Sequence, residues 1–229
     1  MIYTGAAPSD HALGTMKDPQ IRRGLVAWIA QQRPQDFILH EMQLPGFRCY
    51  VDVAAIGDDF VGYEIKSDAD GVARLANQVR RYDAVCDFSY LVTTSRLARR
   101  AQALVPPHWG VLLAESAADS SFTVVREAVR NAGRLTRALL DMLTRDEILG
   151  ALRAHGYSGK TSALHKTLAV RVAYETFGEN LARRLALQVL RSRRTWTCRQ
   201  LGVQSDNERI AHALRQGNPF ICLTTNQMW

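Results

Sequence analysis

Between Tyr50 and Tyr82 the chain reads YVDVAAIGDDFVGYEIKSDADGVARLANQVRRY, and this stretch constrains the fold more than any other. Residues 47–56 and 60–66 carry Val, Ile, Tyr and Phe around a Gly57-Asp58-Asp59 turn, which predicts a β-hairpin. Successive strand side chains point to opposite faces, so Glu64 and Lys66 share one face while Tyr63 and Ile65 take the other. A loop centred on Asp58 sets Asp52 directly opposite Glu64, where Cβ atoms lie about 5 Å apart. Two carboxylates that close repel unless a cation lies between them. With Lys66 alongside, Asp52 and Glu64 form a candidate site for a hard divalent ion, Mg²⁺ or Mn²⁺. Ala54 and Gly62 on the same face are small and would leave room for a bulky substrate.

An isolated Glu-x-Lys carries little information, because Glu and Lys alternate on many solvated strands. Here Asp52 falls in register, and a helix follows at once. Val72, Leu75, Ala76 and Val79 predict a helix over 70–84, with Arg74, Gln78 and Tyr82 as a polar row on one face. Asp68 and Asp70 suit the N-cap of that helix better than a metal site.

The rest of the chain reads as alternating elements. Residues 1–17 are small and polar and predict a flexible tail. Asp18-Pro19 starts a helix over 19–32, with Asp18 as cap, and a strand follows near 36–43. Strands are expected at 88–94, 110–114 and, as an edge, 121–126, with a helix over 95–105. From about Asn131 the pattern is helical only. The fold class is therefore α/β: a mixed sheet flanked by helices over 18–130, then a small all-α C-terminal region over 131–229. With 47% hydrophobic residues, the chain has ample material for a core.

The net charge of +7, carried mostly by arginine, favours a polyanionic partner. Basic rows are expected at Arg130, Arg134 and Arg137, and at Arg184, Gln188 and Arg191, the latter running on to Trp196. Lys160 sits in a Gly156–Lys160 loop joining two helices. A solvated basic face is the competing reading of these rows. His108 and Trp109 read as a packed Trp with a bystander His. His155 and His165 lie in the helical region, where surface or packing roles are expected. Cys49, Cys86, Cys198 and Cys222 form no C-x-x-C pair, and no signal peptide or membrane span is evident, so a cytoplasmic protein is expected.

Asp52, then Glu64-Ile65-Lys66, then Gln78 through Tyr82 resembles the PD-(D/E)XK nuclease pattern, in the RecB-like branch that carries Q-x-x-x-Y. Tyr50 to Ala54, Gly62 to Asp68, Arg74-Leu75 with Gln78-Val79 and Tyr82, and Pro107 to Gly110 also resemble motifs of a small bacterial PD-(D/E)XK-like family, with its first arginine displaced to Arg48. The resemblance covers about residues 19–116. It implies a restriction-endonuclease-like sheet. Asp52, Glu64 and the Ile65 carbonyl would bind metal, and Glu41 would complete the site through water or a second ion. Lys66 would orient or activate the attacking water, while Gln78 and Tyr82 would brace the site or touch the DNA backbone. The expectation is a Mg²⁺- or Mn²⁺-dependent deoxyribonuclease, with Arg74, Lys160, Arg184 and Arg191 on nucleic acid. Its partners would be DNA and, as a homodimer or within a larger repair or defence assembly, other protein. A catalytically inactive nuclease-fold module binding DNA or protein, and an RNA-directed nuclease, stay open at this stage.

Overall fold

The computed structural model describes residues 16–45, 49–115 and 121–193. Helix α1 (Asp18–Gln32) leads into strands β1 (Phe37–Gln43), β2 (Tyr50–Ile56) and β3 (Phe60–Lys66). Then follow α2 (Leu75–Val85), β4 (Phe88–Thr94), α3 (Ser95–Gln102), β5 (Gly110–Ala114) and β6 (Phe122–Arg126). Helices α4 (Thr136–Leu140), α5 (Arg145–Ala154) and α6 (Lys166–Ser192) complete the described chain. The strands form one six-stranded sheet in chain order. β1 to β3 are antiparallel, β3–β4 and β4–β5 are parallel, and β6 returns antiparallel on β5. Each parallel step needs a crossover, which α2 and α3 supply. The fold is thus α/β with a mixed sheet and an all-helical C-terminal part.

Side-chain alternation divides the core in two. Val53, Ala55, Val61, Tyr63 and Ile65 turn towards α1 and pack with Ile21, Leu25 and Ile29. Leu39, Ala54, Ile56 and Phe60 turn the other way, into one cluster with Leu75 and Tyr82 of α2 and Ala182, Ala186 and Leu190 of α6. The C-terminal helices therefore cover a face of the sheet and share its core. The expected boundary between 130 and 131 marks a change of element type, with no break in packing. A period-2 pattern shows that a strand face is apolar and does not say which later segment covers it.

Asp87 fastens this second layer. It is buried, accepts the Phe60 N–H at 2.8 Å, and is met by Arg183 at 2.6 Å, Arg134 at 2.5 Å and Arg130 at 3.2 Å. A carboxylate removed from water demands such partners. The expected phosphate-facing row of Arg130, Arg134 and Arg137 is consequently not formed. Arg130 and Arg134 lie ahead of α4 and close on Asp87, while Arg137 stacks over the Tyr174 ring at 4.5 Å.

Other expectations shift for local reasons. The second helix begins at Leu75 instead of residue 70. Asp70 accepts the Ser67 N–H and hydroxyl, and Asp68 accepts from Met16 N and Thr94 Oγ1, so both aspartates hold the loop and neither caps a helix. Met16 is buried, so the expected tail over 1–17 does not extend to its last residues; residues 1–15 lie outside the described part. The third helix stops at Gln102, short of 105. Asp18 is the first residue of α1 and bonds Arg22. Arg48 and the basic run from Arg194 to Trp196 lie outside the described residues.

Replacing Asp87 by Ala should cost about 3–5 kcal/mol in chemical denaturation, because it leaves Arg183 buried without its anion. Exposed Arg184→Ala should stay within about 0.5 kcal/mol. A D87A loss below about 1 kcal/mol would show that the arginine cluster does not hold the layer.

Candidate active site

The hairpin register decides the site. Val53 pairs with Tyr63, Ala54 with Gly62, Ala55 with Val61 and Ile56 with Phe60; the paired register ends there, one step short of Asp52 and Glu64, and its continuation sets the two acids side by side. On the other side His40 pairs with Val53 and Met42 with Val51, which brings Glu41 beside Asp52. Three acids thus lie at neighbouring positions on β1, β2 and β3. The ladder yields at both junctions. Glu41 has φ 50°, in the left-handed region that non-glycine residues avoid. Asp52 Oδ2 accepts the Ile65 N–H at 2.7 Å, a bond that a β2 carbonyl would otherwise make.

Glu64 is fully buried and fully engaged. The Lys66 ammonium pairs with its Oε1, Gln78 Nε2 donates to the same oxygen at 2.5 Å, and the Tyr82 hydroxyl donates to Oε2 at 2.8 Å. The Tyr82 oxygen also accepts the Asp52 N–H at 3.3 Å, so one side chain spans both acids. Gly62 makes this possible. A Cβ there would stand 2.9 Å from Tyr82 Cδ1 and 2.8 Å from Cys86 Sγ. The small residues of this face therefore admit Tyr82 and Cys86, and the space expected for substrate over Ala54 and Gly62 is filled.

Burial, and then repulsion from Glu64, push Asp52 up to about 8 against the opposing pull of the Ile65 N–H, Arg22 and Lys66. Burial likewise raises Glu64, although Lys66, Tyr82 and Gln78 favour its charged form. Gln78 Oε1 is buried without a hydrogen-bond partner.

The sequence reading missed Arg22. From α1 its guanidinium bonds Asp18 at 2.8 and 3.0 Å and donates to the Asp52 carbonyl at 2.5 Å. It also stands 3.0 Å from Glu41 Oε1 and 3.6 Å from Asp52 Oδ1. The i, i+4 spacing of Asp18 and Arg22 signals an intrahelical pair and gives no hint of a target on two strands.

Asp52 opens onto a cleft of about 1020 Å³ whose lining includes Glu41, Arg74, Gln78, Arg81 and Asp141. Glu64 and Lys66, 0% and 5% exposed, lie behind it. Of the expected nucleic-acid residues the structure brings only Arg74 to the cleft. Lys160 and Arg184 are exposed elsewhere, and Arg191 lies 3.5 Å from the Gln35 carbonyl. Asn77 and Arg81 also face the cleft and were missed, although their spacing from Arg74 and Gln78 marks one face of α2. Trp109 is buried as the sequence reading expects and its indole donates to Asp83, while His108, read as a bystander, bonds the same carboxylate at 2.9 Å.

Among the described residues no three His, Cys, Asp or Glu side chains close on one point, since Glu41 is turned to Arg22. The donor chemistry between Asp52 and Glu64 nevertheless fits a hard divalent ion. Two mutually repelling carboxylates and an unbonded buried amide oxygen are oxygen donors in want of a cation. The Ile65 side chain is buried in the α1-facing core, so only its backbone can take part.

A family model described as "Bacteriophage P4 protein cII" matches residues 12–213, and the chain belongs to that family. A solved structure titled "SPO1766 protein of unknown function from Silicibacter pomeroyi" is 23% identical over 52% of this chain and 75% of that one, with a TM-score of 0.40. No curated protein matches the sequence. Among the described residues no helix is long and apolar enough to cross a membrane.

The raised Asp52 gives a signed pH dependence. A carboxyl whose folded pKa lies above its unfolded value, near 4, stabilises the fold below that value and loses this contribution as pH rises towards about 8. Melting temperature without divalent ions should therefore fall between about pH 5 and 8, and Asp52→Asn should flatten the decline. A variant curve parallel to that of the wild type would show that Asp52 ionises normally.

Proposed function

We propose that the protein is a metal-dependent phosphodiesterase acting on DNA, with a PD-(D/E)XK-type site of Asp52, Glu64 and Lys66 braced by Gln78 and Tyr82. The observation that supports it is the convergence on Glu64. Residues 66, 78 and 82 all bond this one buried acid, with Asp52 in register opposite it and open to a cleft. A divalent ion held by Asp52 and Glu64 supplies a Lewis acid for the phosphate and a more acidic water. The chain's own groups do the rest. Gln78 and Tyr82 fix the Glu64 carboxylate. Lys66 favours the charged form of that carboxylate and would put a positive charge where negative charge builds up during attack. Arg74 and Arg81 on the cleft wall suit backbone phosphates. Cytoplasmic location and DNA in preference to RNA belong to the same proposal.

A non-catalytic reading has one observation in its favour. Lys66 and Glu64 are sealed against each other behind the cleft. The two readings separate cleanly on plasmid, linear and single-stranded DNA, and on RNA, with Mg²⁺, Mn²⁺ or EDTA. Lys66→Ala should still bind DNA and cleave about a hundredfold or more slowly. Asp52→Ala should lose both metal binding and cleavage. A wild-type protein that cuts none of these, and binds equally well in EDTA, is a binding module.

Binding itself should weaken with salt, with a log–log slope near −0.9 for each duplex phosphate neutralised. Arg74→Ala with Arg81→Ala should flatten that slope. Arg184→Ala, remote from the cleft, should leave it unchanged, and the reverse result would move the interface to α6.

A further inference from the structure

We infer that Arg22 is a built-in cation of the acidic cleft. It takes the Glu41 side of Asp52, so that the site accepts one divalent ion, between Asp52 and Glu64, and Glu41 is not a metal ligand. This rests on the metal-dependent reading above and sets the stoichiometry of its site.

The three acids on adjacent strands offer two gaps, one between Glu41 and Asp52 and one between Asp52 and Glu64. Each places two carboxylates side by side and calls for positive charge. Arg22 meets that need in the first gap. Its Nη2 stands 3.0 Å from Glu41 Oε1 and 3.6 Å from Asp52 Oδ1. The group is also anchored against swinging out. Asp18, one turn earlier on α1, takes Nε and Nη2 at 2.8 and 3.0 Å, and the Asp52 carbonyl takes Nη1 at 2.5 Å. The side chain is 17% exposed. A guanidinium keeps its charge at any working pH.

The same contacts explain how Glu41 is used. Its left-handed backbone, φ 50°, sits where its carboxylate meets Arg22. A dication placed there would stand against a fixed positive charge that touches both acids, whereas in the second gap Lys66 is paired with Glu64 alone. On that side Lys66 pairs with Glu64, and Arg22 reaches Asp52 but makes no bond to Glu64. Arg22 thus bridges both acids of the first gap, while the cation of the second meets only one of its two acids.

Mn²⁺ binding to the full chain, followed by equilibrium dialysis and by electron paramagnetic resonance, tests this without any assay of activity. The wild type should bind one ion per chain. Arg22→Ala leaves Asp18, Glu41 and Asp52 without their cation and should bind two. Glu41→Gln should bind one ion with affinity within about twofold of wild type, where loss of a coordinating or orienting group typically costs about 10–100-fold. Circular dichroism shows whether Arg22→Ala folds, and if it does not, Glu41→Gln carries the test alone. Two ions on the wild type, one ion on a folded Arg22→Ala, or a tenfold loss with Glu41→Gln would each overturn the assignment and leave the metal reading standing. No ion on the wild type would overturn both.

Discussion

Glu64 is a carboxylate with no exposed surface in the middle of a sheet, and the rest of the site is arranged around that fact. Removing such a group from water costs several kcal/mol unless it is paired and bonded. Three partners meet it, and each dictates something else. Lys66 on the same strand face supplies charge. Gln78 and Tyr82 reach across from α2, which fixes the rotation of that helix over the sheet. Tyr82 can come this close to β3 because position 62 is glycine. Then Leu75, Val79 and Val85 of the same helix face inwards and join the core. The polar demand of one residue and the apolar packing of its neighbours therefore select one helix orientation.

Asp87 repeats the device at the other end of α2 and serves a different purpose. Its arginines come from residues 130, 134 and 183, so the partners of one buried acid tie the region after β6 and the long helix α6 to the sheet. Arg183 alone spans 96 positions of sequence to reach it. Glu64 orders the site and Asp87 orders the layer that covers it, and both acids flank the helix that lines the cleft.

How much of this was legible in the sequence follows from the range of each interaction. The hairpin register could be read because a short turn fixes it; the pairs from Ile56–Phe60 to Val53–Tyr63 follow the expectation, and the ladder yields just before Asp52 and Glu64. Helical spacing put Gln78 and Tyr82 on one face, and the family resemblance had them brace the site or touch DNA; that both bond Glu64 came from the structure. What could not be read is long-range. Arg22 shows a local partner, Asp18, and its contacts with Glu41 and Asp52 depend on how α1 crosses the sheet. Arg130 and Arg134 looked like a helical phosphate row because their spacing is helical. The chain there is not helical, and a buried anion 43 or more positions earlier claims both. The small residues 54 and 62 suggested space, when smallness was required by an aromatic ring arriving from α2.

The cleft brings these parts into one electrostatic argument. Its wall presents Arg74 and Arg81, while its floor presents Glu41 and Asp52. A polyanion attracted to the wall meets repulsion as it approaches the floor. Arg22 cancels negative charge at Glu41 and, from 3.6 Å, part of that at Asp52, while Lys66 pairs with Glu64. Asp52 is therefore where the open cleft and the buried acid pair touch. On the proposed reading, cation binding at Asp52 removes the repulsion at the one point where a phosphate would have to descend. Metal and nucleic acid should then favour each other's binding, by an equal factor in either direction, because such coupling is reciprocal.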